Sequence, residues 1–188
     1  DNGRDGFYKG SVAKDIIKKI NSVGGRHTIE DLESAEVEYV SPLSTDYRGY
    51  KILECPPNGQ GIIALIILNI LSGFDMKNYD PNSAMRIHLE AESTKLAFIN
   101  RYKYLADPTF SEIPLEQLLS KKYTDYMRSF IEKDKTIEDN INLSLPDHKD
   151  TVYISIIDKE KNCISLINSI FQPFGSGLLC PESGVLLH

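Results

Sequence analysis

Two hydroxyl residues, Thr151 and Ser169, have the types and the spacing that nucleophilic catalysis requires. Thr151 opens an alternating run that ends at Asp158, and it directly follows a polar segment that looks cleavable. A hydroxyl at the head of a strand, just after such a segment, is where a self-processing hydrolase would carry its nucleophile. The alternative is that Thr151 only begins a strand, as threonines often do.

A predicted β-hairpin brings these two hydroxyls together. Two runs of alternating polar and apolar residues flank residues 159–161, a pattern typical of a hairpin with a three-residue turn. If Asp158 faces Asn162, the antiparallel register puts Thr151 opposite Ser169, with Cβ atoms about 5 Å apart. The alternative is a Thr–Ser pair that only stabilises the sheet, and a shift of one residue would separate the hydroxyls.

The elements before this hairpin are predicted to be mainly helical. Apolar residues recur at helical spacing, and several helix starts have cap residues or a first-turn proline. These residues are Ser11, Thr28 with Asp31, Ser83, Pro114 and Ser120. Residues 37–40 and 50–53 are predicted to form two strands around a turn at 47–49. The apolar run 62–71 is too short to span a bilayer, and we expect a buried helix there.

Three other groups of residues have a plain structural interpretation. Glu90, Glu92 and Lys95 are expected on the solvated face of the helix that follows Ser83, although a catalytic carboxylate pair is conceivable. The loop 55–61 contains two glycines, for which close packing is favoured over a phosphate-binding role because no GKS/T ending follows. The three cysteines are expected to be small buried residues: Cys55, Cys163 and Cys180.

Composition excludes several classes of function. The formal net charge is -6 and no basic block is present, so a nucleic-acid partner is not expected. The cysteines and the four histidines form no ligand motif, so neither a metal nor another cofactor is predicted. The chain does not begin with Met, so we interpret it as part of a longer polypeptide and predict no compartment.

These patterns predict an α+β protein with three regions. Residues 1–131 form a helical region with short strands. Residues 132–150 form a mobile connector, because they are rich in charge and asparagine and have no periodic pattern. Residues 151–188 begin the β region that carries Thr151.

Nine stretches, in order along the chain, resemble the gamma-glutamyltranspeptidase family of N-terminal nucleophile hydrolases. Each stretch alone is weak, but the ordered set is specific and covers nearly the whole chain. The forms at 58–61 and 150–153 are most similar to the acylase-like branch of the family. The stretches are FYKG at 7–10, GG at 24–25 with TIEDL at 28–32, PLS at 42–44 with YRGY at 47–50, PPNGQG at 56–61, LNIL at 68–71, KLAF at 95–98, YLADP at 104–108, DTVY at 150–153 and FGSG at 174–177.

The resemblance implies a fold, a reaction and a site. The fold would be an αββα hydrolase, of which this chain holds the helical part and a hairpin of the central sheet. The precursor would cut itself between Asp150 and Thr151, and Thr151 would then attack gamma-glutamyl amides such as glutathione. Ser169 would support the nucleophile, and the acyl group would pass to water or to an amine. The remaining segments of the same polypeptide, in two subunits, would complete the site, and no cofactor is implied.

Two residues depart from the family pattern. Phe171 stands where the family commonly has an asparagine that contacts the glutamyl group, so a more apolar acyl group is a second hypothesis; alternatively, Phe171 simply packs. Lys161 stands where glycine is usual, which costs about 1–2 kcal/mol if the backbone there is left-handed. The predicted function is therefore a gamma-glutamyltransferase or hydrolase. The alternatives are an acylase of the same fold and an inactive, unprocessed homologue.

Overall fold

The computed structural model describes residues 3–137 and 152–188. Asp150 and Thr151 lie outside the described residues, as does most of the predicted connector at 132–150, so the three-region division stays a prediction. The described residues form two compact units. The first contains residues 3–38 and 152–188, and the second contains residues 39–137.

Helices and two small antiparallel sheets make up the described part, which is an α+β arrangement as predicted. Each sheet is a hairpin of two strands. In chain order, the elements are α1 (Gly3–Tyr8), α2 (Ser11–Ser22), α3 (Ile29–Glu33), β1 (Leu43–Tyr47), β2 (Tyr50–Glu54), α4 (Gly61–Leu71), a 3-10 turn (Met76–Asn78), α5 (Ala84–Tyr104), α6 (Leu115–Leu119), α7 (Lys121–Arg128), β3 (Val152–Ile157) and β4 (Cys163–Asn168).

Most predicted helix starts are confirmed. The hydroxyls of Ser83 and Ser120 accept backbone N–H groups at 3.3 and 3.2 Å, as N-terminal caps do. The backbone N–H of Thr28 donates to the Asp31 carboxylate at 2.7 Å, which belongs to the predicted capping box. The prediction for Ser11 is wrong: Ser11 is the first helical residue, because Gly10 before it has the extended backbone of a cap.

The core of the second unit is built around α4. This helix is buried as predicted, because its apolar residues cover most of its circumference. It packs against α5, α6 and α7. The buried residues of this core are Ile62, Ile63, Ile66, Ile70, Leu96, Ala97, Leu118 and Met127. None of the helices within residues 3–137 and 152–188 is long and apolar enough to cross a membrane.

The first hairpin differs from its prediction in one strand. Tyr47 pairs with Tyr50 across a two-residue turn, and both turn residues, Arg48 and Gly49, have positive φ angles, 54° and 87°. Such a turn pairs the residues directly beside it, so the first strand is Leu43–Tyr47 and not residues 37–40. Among the described residues, no strand pairs with residues 37–40, and Val37 is 94% exposed.

The predicted solvated face of α5 is wrong at Glu92, which is only 1% exposed. Its carboxylate accepts the backbone N–H of Ile137 at 2.7 Å and lies 3.1 Å from Lys95 Nζ. The chain at Ile137 therefore covers Glu92, and the ion pair and the hydrogen bond compensate for its burial. Glu90 remains accessible and pairs with Arg86 at 3.0 Å.

The cysteine and glycine predictions have mixed outcomes. Cys180 is buried as expected, but Cys55 and Cys163 are exposed, because they lie at the ends of exposed hairpin strands. The close packing predicted for the 55–61 loop is confirmed at Gly61. A Cβ there would lie 2.7 Å from the Cβ of Glu54, too near for any side chain.

Candidate active site

The β3–β4 hairpin has the predicted register. Val152 pairs with Asn168 at one end of the antiparallel ladder, and Ser155 pairs with Ser165 near its middle. Successive side chains of a strand point to opposite faces, so odd-numbered residues share one face. That face carries the hydroxyls of Tyr153, Ser155 and Ser165.

These hydroxyls are connected. Ser165 Oγ donates to the Tyr153 hydroxyl oxygen at 2.9 Å across the hairpin. Hydrogen bonds from Ser155 and Ser165 lower the pKa of the Tyr153 phenol. The Ser155–Ser165 pair was predicted from the sequence, but the contact with Tyr153 was not, although the alternation of the strand places Tyr153 on the same face.

The turn of this hairpin is closed as predicted. Asp158 N–H donates to the carbonyl of Asn162 at 3.1 Å, and the Asp158 carboxylate accepts the backbone and side-chain N–H groups of Asn162, each at 2.8 Å. These bonds fix the register, because they leave one way to align the two strands. Lys161 has a φ angle of 66°, so the residue that replaces the usual glycine does adopt the left-handed backbone.

Ser169 directly follows β4 and is partly buried. Its Oγ accepts the backbone N–H of Phe171 at 3.0 Å. This local hydrogen bond, from the residue two positions later, orients the Ser169 hydroxyl where the chain leaves the strand. Ser169 is thus at the end of the hairpin as predicted, while its predicted partner Thr151 lies outside the described residues.

Phe171 has a left-handed backbone, with a φ angle of 70°. An aromatic residue is uncommon in this conformation, and asparagine and glycine are the residues that adopt it readily. The ring of Phe171 is 49% exposed, and its centroid lies 6.0 Å from that of the His188 ring. The sequence pattern did not reveal this backbone conformation at the position where an amide was expected.

The FGSG stretch at 174–177 makes a tight approach to the end of the described chain. Gly175 has a φ angle of 53°, and a Cβ there would lie 2.1 Å from the carbonyl oxygen of Leu187. The same oxygen accepts the N–H of Ser176 at 3.0 Å. Only glycine fits at 175, and this close contact returns the chain towards Phe171.

In residues 3–137 and 152–188, no group of three or more His, Cys, Asp or Glu side chains could hold a metal ion. The hydroxyl side chains of β3 and β4 are those of Tyr153, Ser155 and Ser165. They lie on one face of the hairpin, and Ser169 directly follows the end of β4.

The sequence profile of the gamma-glutamyltranspeptidase family matches residues 1–188. The chain belongs to this family. A glutathione hydrolase-like proenzyme of Bacillus subtilis is 35% identical over 192 residues, which are 99% of this chain and 35% of that protein. The glutathione hydrolase proenzyme of Escherichia coli is also 35% identical, over all of this chain and 33% of its own length. An acylase proenzyme of a Pseudomonas species is 31% identical over 99% of this chain and 34% of that protein.

Solved structures of the family have the same fold. The cephalosporin acylase from Bacillus halodurans is 35% identical and superposes with a TM-score of 0.79, over 97% of this chain and 32% of that one. The gamma-glutamyltranspeptidase from Helicobacter pylori is 33% identical with a TM-score of 0.65, over 72% of this chain and 39% of that one. The chain thus spans about a third of the length of the curated relatives named above.

Proposed function

We propose that the chain is the part of a gamma-glutamyl amide hydrolase or transferase in which self-cleavage occurs and the nucleophile lies. The cut would fall between Asp150 and Thr151, and Thr151 would be the nucleophile of the mature enzyme. Membership of the family supports the reaction class, and several relatives are named proenzymes, in agreement with processing.

The register of the β3–β4 hairpin is the observation that carries this proposal. Val152 pairs with Asn168, so one further step of the same antiparallel ladder would bring Thr151 opposite Ser169. Opposed side chains share a face, so Thr151 and Ser169 would lie on the face that carries the hydroxyls of Tyr153, Ser155 and Ser165. The bond from Phe171 N–H orients the Ser169 hydroxyl, which would support the nucleophile by a hydrogen bond.

The first step forms an ester and then a new N-terminus. The Thr151 hydroxyl oxygen attacks the carbonyl carbon of Asp150, the C–N bond breaks, and the nitrogen takes the proton as the α-amine of Thr151. Water then hydrolyses the ester, which leaves a carboxylate on Asp150 and restores the Thr151 hydroxyl.

The second step uses the group that the first step creates. The α-amine of Thr151 has an ordinary pKa of about 7.7–8.0, suitable for a base that accepts the hydroxyl proton near neutral pH. The hydroxyl attacks the substrate amide, the amine of the substrate leaves with a proton, and the acyl group stays on Thr151. Water or an acceptor amine then releases the acyl group.

The hairpin would belong to the central sheet of an αββα sandwich. Its even-numbered face carries apolar side chains that are exposed by 53% at Ile156, 57% at Ile164 and 51% at Leu166. A two-stranded hairpin is marginally stable by itself, and further strands or helices that cover such a face are the usual remedy. The remaining segments of the same polypeptide would supply this cover and complete the active site.

Phe171 favours a second candidate, an acylase that accepts less polar acyl groups. An apolar ring replaces the amide that would contact a glutamyl group, and acylases are among the similar proteins. A site built for a polar group discriminates strongly against a substrate that lacks it, so loss of that amide should relax the preference for glutamyl substrates.

Three variants of the full-length protein test the nucleophile. Thr151→Ala should remain uncut and inactive, whereas Thr151→Ser keeps a hydroxyl and should still be cut. Ser169→Ala should slow cleavage about tenfold, the effect of one lost hydrogen bond of about 1.4 kcal/mol. Wild-type activity in uncut Thr151→Ala would assign catalysis to another group.

The substrate class is tested by comparing the hydrolysis of a gamma-glutamyl anilide and a glutaryl anilide. Phe171→Asn should raise the ratio of kcat/KM values in favour of the gamma-glutamyl anilide, and the left-handed backbone at 171 should accept asparagine without loss of stability. An unchanged ratio would show that residue 171 does not contact the acyl group. No turnover of either anilide by an uncut protein would instead indicate an inactive homologue.

A further inference from the structure

Asp15 is a buried carboxylate in the first compact unit, far from the hairpin in sequence. It lies on α2 and is only 2% exposed. Its Oδ2 accepts three hydrogen bonds: from Glu182 N at 3.0 Å, from Ser183 N at 2.7 Å and from Ser183 Oγ at 2.7 Å. A buried carboxylate with several N–H and O–H donors is a strong, charge-assisted contact.

These hydrogen bonds cross the proposed cleavage site in the sequence. Asp15 precedes the Asp150–Thr151 bond, whereas Glu182 and Ser183 follow it, and all three contact residues lie in the same compact unit. In the uncut chain the contact joins two parts of one polypeptide. After a cut, the same contact would join two polypeptides.

The turn that Asp15 binds is already closed by its own backbone. Gly184 N donates to the carbonyl of Cys180 at 2.9 Å, and Cys180 N donates to the carbonyl of Val185 at 2.8 Å. The carboxylate is therefore not needed to close the turn, and its contribution is to attach the closed turn to α2.

The attached turn is the tip of a segment that returns to the candidate site. Leu179 and Leu186 form a bridge, and Leu187 N donates to the carbonyl of Leu178 at 3.0 Å. The other end of this segment is the tight contact of Gly175 with Leu187, close to Phe171 in sequence. Attachment of the tip to α2 therefore fixes the chain that directly follows Ser169 and Phe171.

A second, weaker contact accompanies the first. Lys18, one helical turn after Asp15, pairs with Glu182 at 2.9 Å, and both side chains are largely exposed. Exposed ion pairs contribute little to stability. Lys18 is therefore a matched control on the same helix and against the same turn.

We propose that Asp15 holds together the two polypeptides that self-cleavage would produce, the one before the cut and the one after it. The proposal rests on the proposed self-cleavage. Asp15 acts as a positioning residue, since it holds the 174–187 segment and takes no part in bond making or breaking. Its ligand is the Glu182–Ser183 turn of the other subunit of the processed protein.

The test uses the cleaved full-length protein with Asp15→Ala, Asp15→Asn and Lys18→Met. The readout is the separation of the two polypeptides on size exclusion as urea is increased. For Asp15→Ala, the apparent dissociation constant at a fixed urea concentration should rise about tenfold or more, as expected when several donors lose a charged acceptor. For Lys18→Met the rise should stay below about threefold, as for an exposed pair.

Asp15→Asn provides a conservative rescue. Among the described residues, Oδ1 of Asp15 is buried and has no hydrogen-bond partner, so an amide NH2 can take that position while the amide oxygen keeps the place of Oδ2. This variant should lie between the parent and Asp15→Ala. It also carries the comparison with the parent if Asp15→Ala does not fold.

The outcomes distinguish the role of Asp15 from the cleavage itself. If the subunits of Asp15→Ala, or of Asp15→Asn where only that variant folds, separate at the same urea concentration as those of the parent, the role of Asp15 is refuted while self-cleavage stands. Equal weakening by Lys18→Met would also refute that role, because the buried carboxylate would not be the source of the subunit affinity. A parent protein without a new N-terminus at Thr151 would overturn both the cleavage and the role of Asp15.

Discussion

Replacing Gly73 by alanine should release the end of α4, because a methyl group there and the bound side chain of Arg128 exclude each other. Arg128 Nε donates to the carbonyl of Ile70 at 2.9 Å, and Nη2 donates to that of Asn69 at 2.8 Å. A Cβ at position 73 would lie 2.0 Å from Nε and 2.1 Å from Cζ of Arg128. Gly73 has no left-handed backbone, so this overlap is the whole steric cost of alanine.

The magnitude follows from the two hydrogen bonds that are lost. Bonds that involve a charged group contribute about 1.5–3 kcal/mol each, and water replaces part of this at a partly exposed helix end. Alanine in place of glycine returns about 0.4–1 kcal/mol through the unfolded chain. We therefore expect Gly73→Ala to lower the free energy of unfolding by about 2 kcal/mol, which is about 4–8 °C in Tm for a domain of this size.

A double-mutant cycle isolates the contact. Gly73→Ala, Arg128→Ala and the double variant are compared by calorimetry in the uncut Thr151→Ala protein, so that each sample unfolds as one polypeptide. Once Arg128 is alanine, Gly73→Ala should cost almost nothing, which gives a coupling energy of about 2 kcal/mol. Gly59→Ala is the matched control, because its Cβ would make only an ordinary contact of 3.7 Å with the Pro56 carbonyl oxygen. Additive effects of the two substitutions would refute the mutual exclusion.

Three further predictions concern other parts of the chain. Lys161→Gly should raise the free energy of unfolding by about 1 kcal/mol in urea denaturation, since it relieves a left-handed backbone of 66°; a loss of stability would contradict this. Glu92→Gln should lower the free energy of unfolding by about 2–3 kcal/mol, because the buried carboxylate loses its pairing with Lys95 and its charge-assisted bond to Ile137. Glu90→Gln on the same helix should change the free energy of unfolding by no more than about 0.5 kcal/mol. Equal effects of the two substitutions would refute the role of burial. Burial raises the pKa of Asp15, but hydrogen bonds from Ser183 and Glu182 outweigh burial and lower that pKa below the ordinary value of 3.8. The stabilising contribution of the Asp15 carboxylate is therefore present above about pH 4 and is lost as the pH falls through the lowered pKa. Subunit separation in urea should therefore become easier below about pH 4 in the parent but not in Asp15→Ala.

The elements that local patterns determine could be predicted from the sequence. Ser83 and Ser120 cap their helices because a hydroxyl before an apolar helical run has one obvious use. The hairpin register followed from a single pair, Asp158 and Asn162, because every other pairing in an antiparallel ladder depends on it.

Features that depend on distant contacts could not be predicted in this way. The helical pattern around Glu92 predicts a surface position, but the distant chain at Ile137 covers this residue. The contact of Asp15 with Ser183 joins residues that are 168 positions apart and has no periodic signature. The left-handed backbone at Phe171 could not be predicted either, because an aromatic residue rarely adopts it.

The candidate site was predictable in part, for a related reason. The position of Ser169 could be predicted from the hairpin register, because each pair in an antiparallel ladder fixes the next pair. The packing at Gly175 could not be predicted, because its partner, the carbonyl of Leu187, belongs to a segment that folds back. The substrate preference depends on side chains from the remainder of the polypeptide as well as on Phe171.

Self-cleavage is tested most directly by the N-terminal sequence of each polypeptide in the purified full-length protein, with intact masses from mass spectrometry. Self-cleavage at the Asp150–Thr151 bond predicts a second N-terminus that begins Thr-Val-Tyr-Ile. The two masses should add up to that of the precursor plus one water. An intact chain that still turns over a gamma-glutamyl or glutaryl anilide would contradict self-cleavage as the source of the nucleophile, because that nucleophile would then not be an N-terminal Thr151.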